Sequence, residues 1–286
     1  MLSRDVILEK IKNGKDLPAF PDIIDRLQRE SFKANVSLTG IAQIIKQDMS
    51  LAAVFLKTAN SAYYATATPA TDVVQAVSRL GLVEVRRISC AAAITARFGK
   101  LGGQNPKKFW QHCLTVSMTS QILAEVAKMP LAPLELDSSY TAGLLHDLGV
   151  LAFAQVFQQQ HAELAQQIKN VRDFSHKVEM EVLGIEHGEI GAVLANHWKL
   201  PPLLCDVIRY HHEPWNAPAE HRRLTWLTHL ANMIANNQKL NREEEVVTPT
   251  LESPAWKELG LTKEDAPTVL NIIRLRSKRV DGLLGG

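Results

Sequence analysis

The sequence predicts an all-α protein in which a helical N-terminal module packs on a second helical bundle, and three observations carry that expectation. Almost every segment spaces its apolar residues three and four apart, the period that gathers them on one side of a helix. No run alternates apolar and polar β-branched residues for long enough to build a sheet. The chain has 286 residues, 46% of them hydrophobic, enough to fill the core of one large domain or two modest ones.

Taken in order, the N-terminal stretch Met1 to Lys12 is charged and helix-like. Ser37 stands where an N-cap belongs, ahead of LTGIAQIIKQD, in which Ile41, Ile44 and Ile45 share a face. DVVQAVSRLG groups Val73, Val74, Val77 and Leu80 and stops at Gly81, a residue suited to ending a helix. The cluster LGGQNP, Leu101 to Pro106, breaks the pattern and marks a subdomain boundary. A long helix follows it, with Phe109, Cys113, Val116 and Ile122 along one side. The expected organisation is a module over residues 1–100, a bundle over 101–240, and a closing loop and helix over 241–286 that begins with the charged stretch NREEEVV at Asn241 to Val247.

Composition excludes several classes of function. The formal charge is only +2, from 32 basic and 30 acidic residues, so there is no long-range pull on nucleic acid. The basic run RLRSKR at Arg274 to Arg279 reads as cations closing a helix, not as a nucleic-acid contact. Leu148 to Phe157, the longest nearly uncharged apolar run, has about half the ~20 residues of a membrane span, and no signal peptide is seen. Cys90, Cys113 and Cys205 are isolated and form no disulfide framework, which fits a reducing cytoplasm. Neither a P-loop nor a GxGxxG or GxSxG motif occurs, so no organic cofactor or nucleotide is expected by those routes. The five tryptophans, at positions 110, 198, 215, 226 and 256, are scattered and read as core or interface.

One stretch resists a packing explanation. TAGLLHDLGVLAF sets His146 and Asp147 among Leu144, Leu145, Leu148, Val150 and Leu151, which demand burial. A buried carboxylate costs several kcal/mol unless a cation or hydrogen-bond donors satisfy it, so the pair requires a partner. His112, His187 in IEHGEIG, and His211 with His212 in IRYHHEPW supply further imidazoles. Imidazole and carboxylate together suit Zn, Fe, Mn or Ni. The gaps of 34, 41 and 24 residues separating 112, 146, 187 and 211 mean that only the fold could gather them. Taken singly, His112 also fits an ordinary helix-face histidine, His187 a cap or a water-facing residue, and His211-His212 a helix C-terminus, where the dipole favours imidazolium.

The ordered strings resemble one family. LPAFPDIIDRL (Leu17 to Leu27), IAQIIKQDMSLAAVFLKTANSAYY (Ile41 to Tyr64), AVSRLGLVEVRRI (Ala76 to Ile88), GLLHDLG, EHGEIGAVLANHWKLP and HHEPW resemble the HDOD, or HD-related output domain, branch of the HD superfamily of metal-dependent phosphohydrolases. The resemblance spans roughly Leu17 to Asn236. It implies that the second bundle is HD-domain-like, and that His112, His146, Asp147, His187, His211 and His212 hold one or two divalent transition metal ions (Fe, Mn, Zn or Ni). If the site is an enzyme, Asp147, His211 and His212 are its catalytic groups.

Two positions depart from the catalytic HD pattern. Asn232 stands where those proteins place a closing aspartate, with His229 one turn before it as a substitute ligand. Val150 stands where the cyclic-di-GMP-cleaving HD-GYP branch has a lysine, and HHEPWNAP lacks the GYP tripeptide. The resemblance therefore implies a bacterial signal-transduction output or adaptor module that retains a metal site. Its partner would be a signalling protein, in the cytoplasm, with no nucleic acid and no membrane. The alternative is a phosphohydrolase acting on a phosphodiester or nucleotide, which would make a phosphate-containing small molecule its ligand. The paired Tyr63 and Tyr64 suit either a partner surface or simple packing.

Overall fold

The computed structural model describes residues 2–14, 17, 22–31, 33, 35–61, 64, 66–98, 106–168, 176–238 and 253–277, and every regular element among them is a helix. Residues 101–105 of the expected breaker, Tyr63, the charged loop at 241–247 and the last two residues of the basic run lie outside the described residues, as does the side chain of Cys90.

The chain divides into two units. One comprises Phe20–Gly99 with Arg274–Gly286, and the other Met1–Ala19 with Lys100–Ile273. The first helix, α1 (Arg4–Asn13), belongs to the second of these.

The smaller unit holds α2 (Asp22–Ser31), α3 (Leu38–Ile45), α4 (Met49–Ala59) and the 26-residue α5 (Val73–Phe98). Ser37 does cap α3: its side chain accepts from the Gly40 amide at 3.2 Å. Asp48 caps α4 in the same way, accepting from Leu51 N at 2.9 Å, an N-cap without a forecast. The expected stop at Gly81 is a kink, because φ 75° and ψ 168° there interrupt the helical backbone and the chain resumes its helix at once. Only glycine takes that conformation without strain. Ile41, Ile45, Leu51, Phe55, Val77 and Val85 form the centre of this unit's core. The crossing from α4 to α5 is tied by Asn60, whose amide donates to Ala70 O (2.8 Å) and accepts from Ala70 N (2.7 Å). Arg79 adds bonds to Ala59 O (3.0 Å) and Thr68 O (2.7 Å).

The larger unit holds α1 and the helices α6 (Pro106–Val126), α7 (Pro133–Leu145), α8 (Leu148–Val156), α9 (Gln158–Ile168), α10 (His176–Leu183), α11 (His187–His197), α12 (Pro202–Tyr210), α13 (Arg222–Gln238), α14 (Ala255–Glu258) and, as far as Ile273, α15 (Ala266–Ser277). The predicted long helix is α6, with Cys113, Val116 and Ile122 buried. It packs against α7 and α13, while α11 packs against α8 and α12. Ile7, Leu8 and Ile11 of α1 are buried, and α1 lies against α11, where Arg4 pairs with Glu189. Trp110, Trp198, Trp226 and Trp256 are buried and Trp215 is exposed. Among the described residues no single helix is long and apolar enough to cross a membrane; the apolar run through α7, α8 and α9 is bent by 115°.

Two close approaches set the spacing of these helices. A β-carbon on Gly149 would lie 1.8 Å from His187 O and 2.7 Å from Gly191 N, so α8 and α11 meet backbone to backbone. One on Gly143 would lie 2.7 Å from Ser117 Cα, which puts α7 close to the backbone of α6 as well. At both crossings a side chain would hold the helices apart, and both bring chemically active residues together.

Candidate metal centre

The turn between α7 and α8 is made by His146 and Asp147, so the apolar residues on either side belong to two buried helices and the polar pair sits at their junction. His146 is fully buried and Asp147 is 15% exposed at its side chain. His112 comes from the buried face of α6, His187 is the first residue of α11, and His211 and His212 follow directly on α12. All six residues expected from the sequence converge. His112, His146 and Asp147 form one group and His187, His211 and His212 another, the donor atoms within each lying inside 4.8 Å of one another.

Asp147 joins the two groups. Its Oδ1 lies 3.2 Å from His146 Nε2, 3.2 Å from His187 Nε2 and 3.7 Å from His211 Nε2, and its Oδ2 lies 3.5 Å from His112 Nε2. His187 Nε2 is also 3.2 Å from His211 Nε2 and 2.9 Å from His212 Nε2.

The far nitrogens decide what these short contacts mean. His146 Nδ1 lies 2.8 Å from Gly143 O and His211 Nδ1 lies 2.8 Å from Ile208 O. A carbonyl can only accept, so both rings carry their proton on Nδ1 and present a bare Nε2 to the centre. His187 Nδ1 donates to Glu179 Oε2 at 2.7 Å, which turns its Nε2 to the centre. The bare Nε2 atoms of His146 and His211 then face the Asp147 carboxylate at 3.2 and 3.7 Å, an arrangement of lone pairs that a cation among them relieves. His146 Nε2, buried and without a hydrogen-bond partner, makes the same point. Nitrogens about 2.1 Å from one ion stand roughly 3.0 to 3.4 Å apart in octahedral or tetrahedral arrangement, so the donor set fits a transition metal in spacing and in chemistry.

The electrostatics divide the imidazoles into neutral and charged. Burial pushes the Asp147 carboxyl up, but the imidazoles of His146 and His187 outweigh it and hold the group well below the usual carboxylate range. Burial and the neighbouring imidazoles hold His211 and His212 well below an ordinary histidine, in the neutral form that ligates metal. Burial opposes the charged form of His187, yet Glu179 and Asp147 hold it well above the ordinary value.

Three nearby residues complete the picture. His229 turns its Nδ1 to the His211 carbonyl at 2.7 Å, anchoring the chain beside the site, and stands in neither donor group. Asn232 is buried on α13 and its Oδ1 accepts from Asn236 at 3.1 Å. Glu179 was not foreseen in the sequence; its one signal is a carboxylate on the buried side of the short helix α10, eight residues before His187. His176, also unforeseen, stacks on His212 with ring centroids 4.3 Å apart.

Comparison with known proteins bears on the family and the fold. The model of the HDOD domain matches residues 17–214. An HDOD domain protein of unknown function from Geobacter sulfurreducens superposes with a TM-score of 0.82 at 24% identity, covering 98% of each chain. A protein from Marinobacter aquaeolei VT8, named provisionally as a signal transduction protein, gives a TM-score of 0.77 at 26% identity, over 94% of this chain and 59% of that one. An uncharacterised protein of Treponema pallidum (strain Nichols) is 29% identical over 219 residues, and the match takes in 76% of this chain but 42% of that longer protein.

Proposed function

Because the chain belongs to the HDOD domain family, we propose that it is a bacterial signal-transduction output module, binding a signalling protein as its main task and holding a divalent transition metal through His146, Asp147 and a subset of His112, His187, His211 and His212. One observation supports the metal: the bare Nε2 atoms of His146 and His211 both face the Asp147 carboxylate, lone pair to lone pair. The output role is supported by the signalling name of the Marinobacter relative and by what the site lacks. Val150 is apolar and buried where a diesterase has a lysine, and Asn232 offers a dipole where a carboxylate would offer charge.

Elemental analysis of protein purified without an affinity tag tests the metal. At least one ion per chain, lost in Asp147→Ala, is expected; well under one ion per chain, unchanged by that substitution, would sink the reading. Turnover of cyclic-di-GMP at about 1 per second or faster would overturn the adaptor role.

A second reading, a phosphohydrolase acting on a phosphodiester or nucleotide, draws on the two donor groups that meet at Asp147. A bound metal would supply a water of lowered pKa and a Lewis acid for phosphate oxygens. In that reading Asp147 anchors the centre, His211 is held neutral behind it, and His212, at the less buried edge beside His176, orients the phosphate.

A further inference from the structure

We propose that Glu179 is a positioning residue, fixing His187 in the one tautomer and ring orientation that serves both donor groups. The proposal rests on the metal-binding reading above and deepens it. His187 is the hub of the cluster, because its Nε2 lies within 3.2 Å of Asp147 Oδ1, His211 Nε2 and His212 Nε2. No other ligand ring with a described Nδ1 contact is held as it is. His146 and His211 each lean on a backbone carbonyl of their own chain segment, Gly143 O and Ile208 O, three residues back. His187 cannot do this: it is the first residue of α11, preceded by a turn, and a helix's first amides have no partner within it.

Glu179 fills both needs with one atom. Its Oε2 accepts the His187 backbone N–H at 2.7 Å and the Nδ1–H at 2.7 Å. The first bond fixes the main chain at the start of α11, and the second fixes the ring about its last torsion. Both side chains are buried, at 5% and 4% exposure, so solvent does not replace either bond. A carboxylate behind a ligating imidazole also makes the far nitrogen a stronger donor, and losing such a partner typically lowers metal affinity about 10- to 100-fold. The position of α10 follows from this role: the short helix carries Glu179 in to His187, while Met180 and Val182 beside it remain exposed.

The test compares wild type with Glu179→Gln and Glu179→Ala, reading zinc affinity by competition with a chromophoric chelator and the His187 tautomer by nitrogen NMR of the zinc-free protein. His187 is identified by the signal that vanishes in His187→Gln. A positioning role predicts Nδ1-protonated His187 in wild type, loss of that signature in Glu179→Ala, and a 10- to 100-fold weaker zinc site. Glu179→Gln retains an acceptor oxygen without the charge, so it should keep the fold and the tautomer with a smaller loss of affinity. If Glu179→Ala does not fold, the Gln variant decides: zinc affinity within twofold of wild type overturns the proposal. So does an unchanged tautomer in a folded Glu179→Ala, or a fall in thermal stability with no change in zinc affinity. Should wild type bind no zinc, the metal reading fails by itself, and the tautomer comparison still shows whether Glu179 sets His187.

Discussion

Replacing Gly149 by alanine puts one methyl group where α8 and α11 touch. The new β-carbon would stand 1.8 Å from His187 O, against a floor of 3.0 Å that real contacts respect, so the helices must part by about 1.2 Å there. Backbone atoms are the obstacle on both sides, with Gly191 N a further 2.7 Å contact, so no side-chain rotation relieves it. Overpacking a core costs about 1–3 kcal/mol, and a wedge between two backbones belongs at the upper end. For a unit of this size, about 3 kcal/mol lowers Tm by roughly 6–12 °C. The same displacement acts on the site. Moving His187 by that distance away from Asp147 would stretch their 3.2 Å contact toward about 4.4 Å, too long for neighbouring ligands of one ion. Scanning calorimetry and metal titration of Gly149→Ala should therefore show a lower Tm together with metal affinity weaker by tenfold or more. Gly40→Ala is the control: it is exposed, its β-carbon would meet nothing nearer than 3.6 Å, and alanine in a helix is worth about 0.5–1 kcal/mol over glycine, so stability should rise slightly. A Tm within 2 °C of wild type and unaltered metal affinity in Gly149→Ala would refute the view that this crossing sets the site.

Asn232→Asp should tighten metal binding at least about tenfold, roughly 1.4 kcal/mol, if position 232 faces the ion; unchanged affinity with a lower melting point would remove it from the site. Metal removal by a chelator should lower Tm of the zinc-loaded protein, by about 2.7 kcal/mol of lost stabilisation when the ion had been held at a hundredfold its Kd, and a Tm indifferent to chelator would count against a folded-state site. Asn60→Ala strips both polar groups of Ala70 of their partner and should cost about 1–3 kcal/mol in chemical denaturation; a change under 0.5 kcal/mol would mean that this loop is not tied as described. Asp48→Ala should cost about 1 kcal/mol through the lost α4 cap, read by the same method, and no loss would mean that Leu51 N finds another acceptor.

The local code of the fold was legible where one residue does one thing. Ser37 caps because a hydroxyl ahead of an apolar-periodic run has one profitable use, and Gly81 interrupts a helix because its backbone tolerates φ 75°. Asp48 was as readable in principle, but QDMS lies between two apolar runs and reads equally well as a polar turn within one helix. His146 and Asp147 were legible because their burial made a demand that nothing nearby in sequence could meet, whereas the set with His112, His187, His211 and His212 came from the ordered strings that resemble the family. Glu179 escaped because a glutamate on a charged amphipathic segment looks like solvent-facing surface until tertiary packing turns it inward. His229 stands close to the site, as its spacing from Asn232 suggested, but its Nδ1 serves the backbone of His211, a role that spacing does not reveal.

The assignment of α1 to the larger unit has a consequence in time. On a ribosome adding about 5–20 residues per second, the residues from Asn13 to His187 take roughly 9–35 s to appear. Throughout that interval Ile7, Leu8 and Ile11 have no α11 to lie on, whereas α2 to α5 have all been made once Phe98 has appeared. Nascent chains halted between Phe98 and His187 should therefore carry a protease-sensitive, chaperone-binding apolar segment at α1 although α2 to α5 are already made, and protection of α1 should arrive only once α11 has emerged.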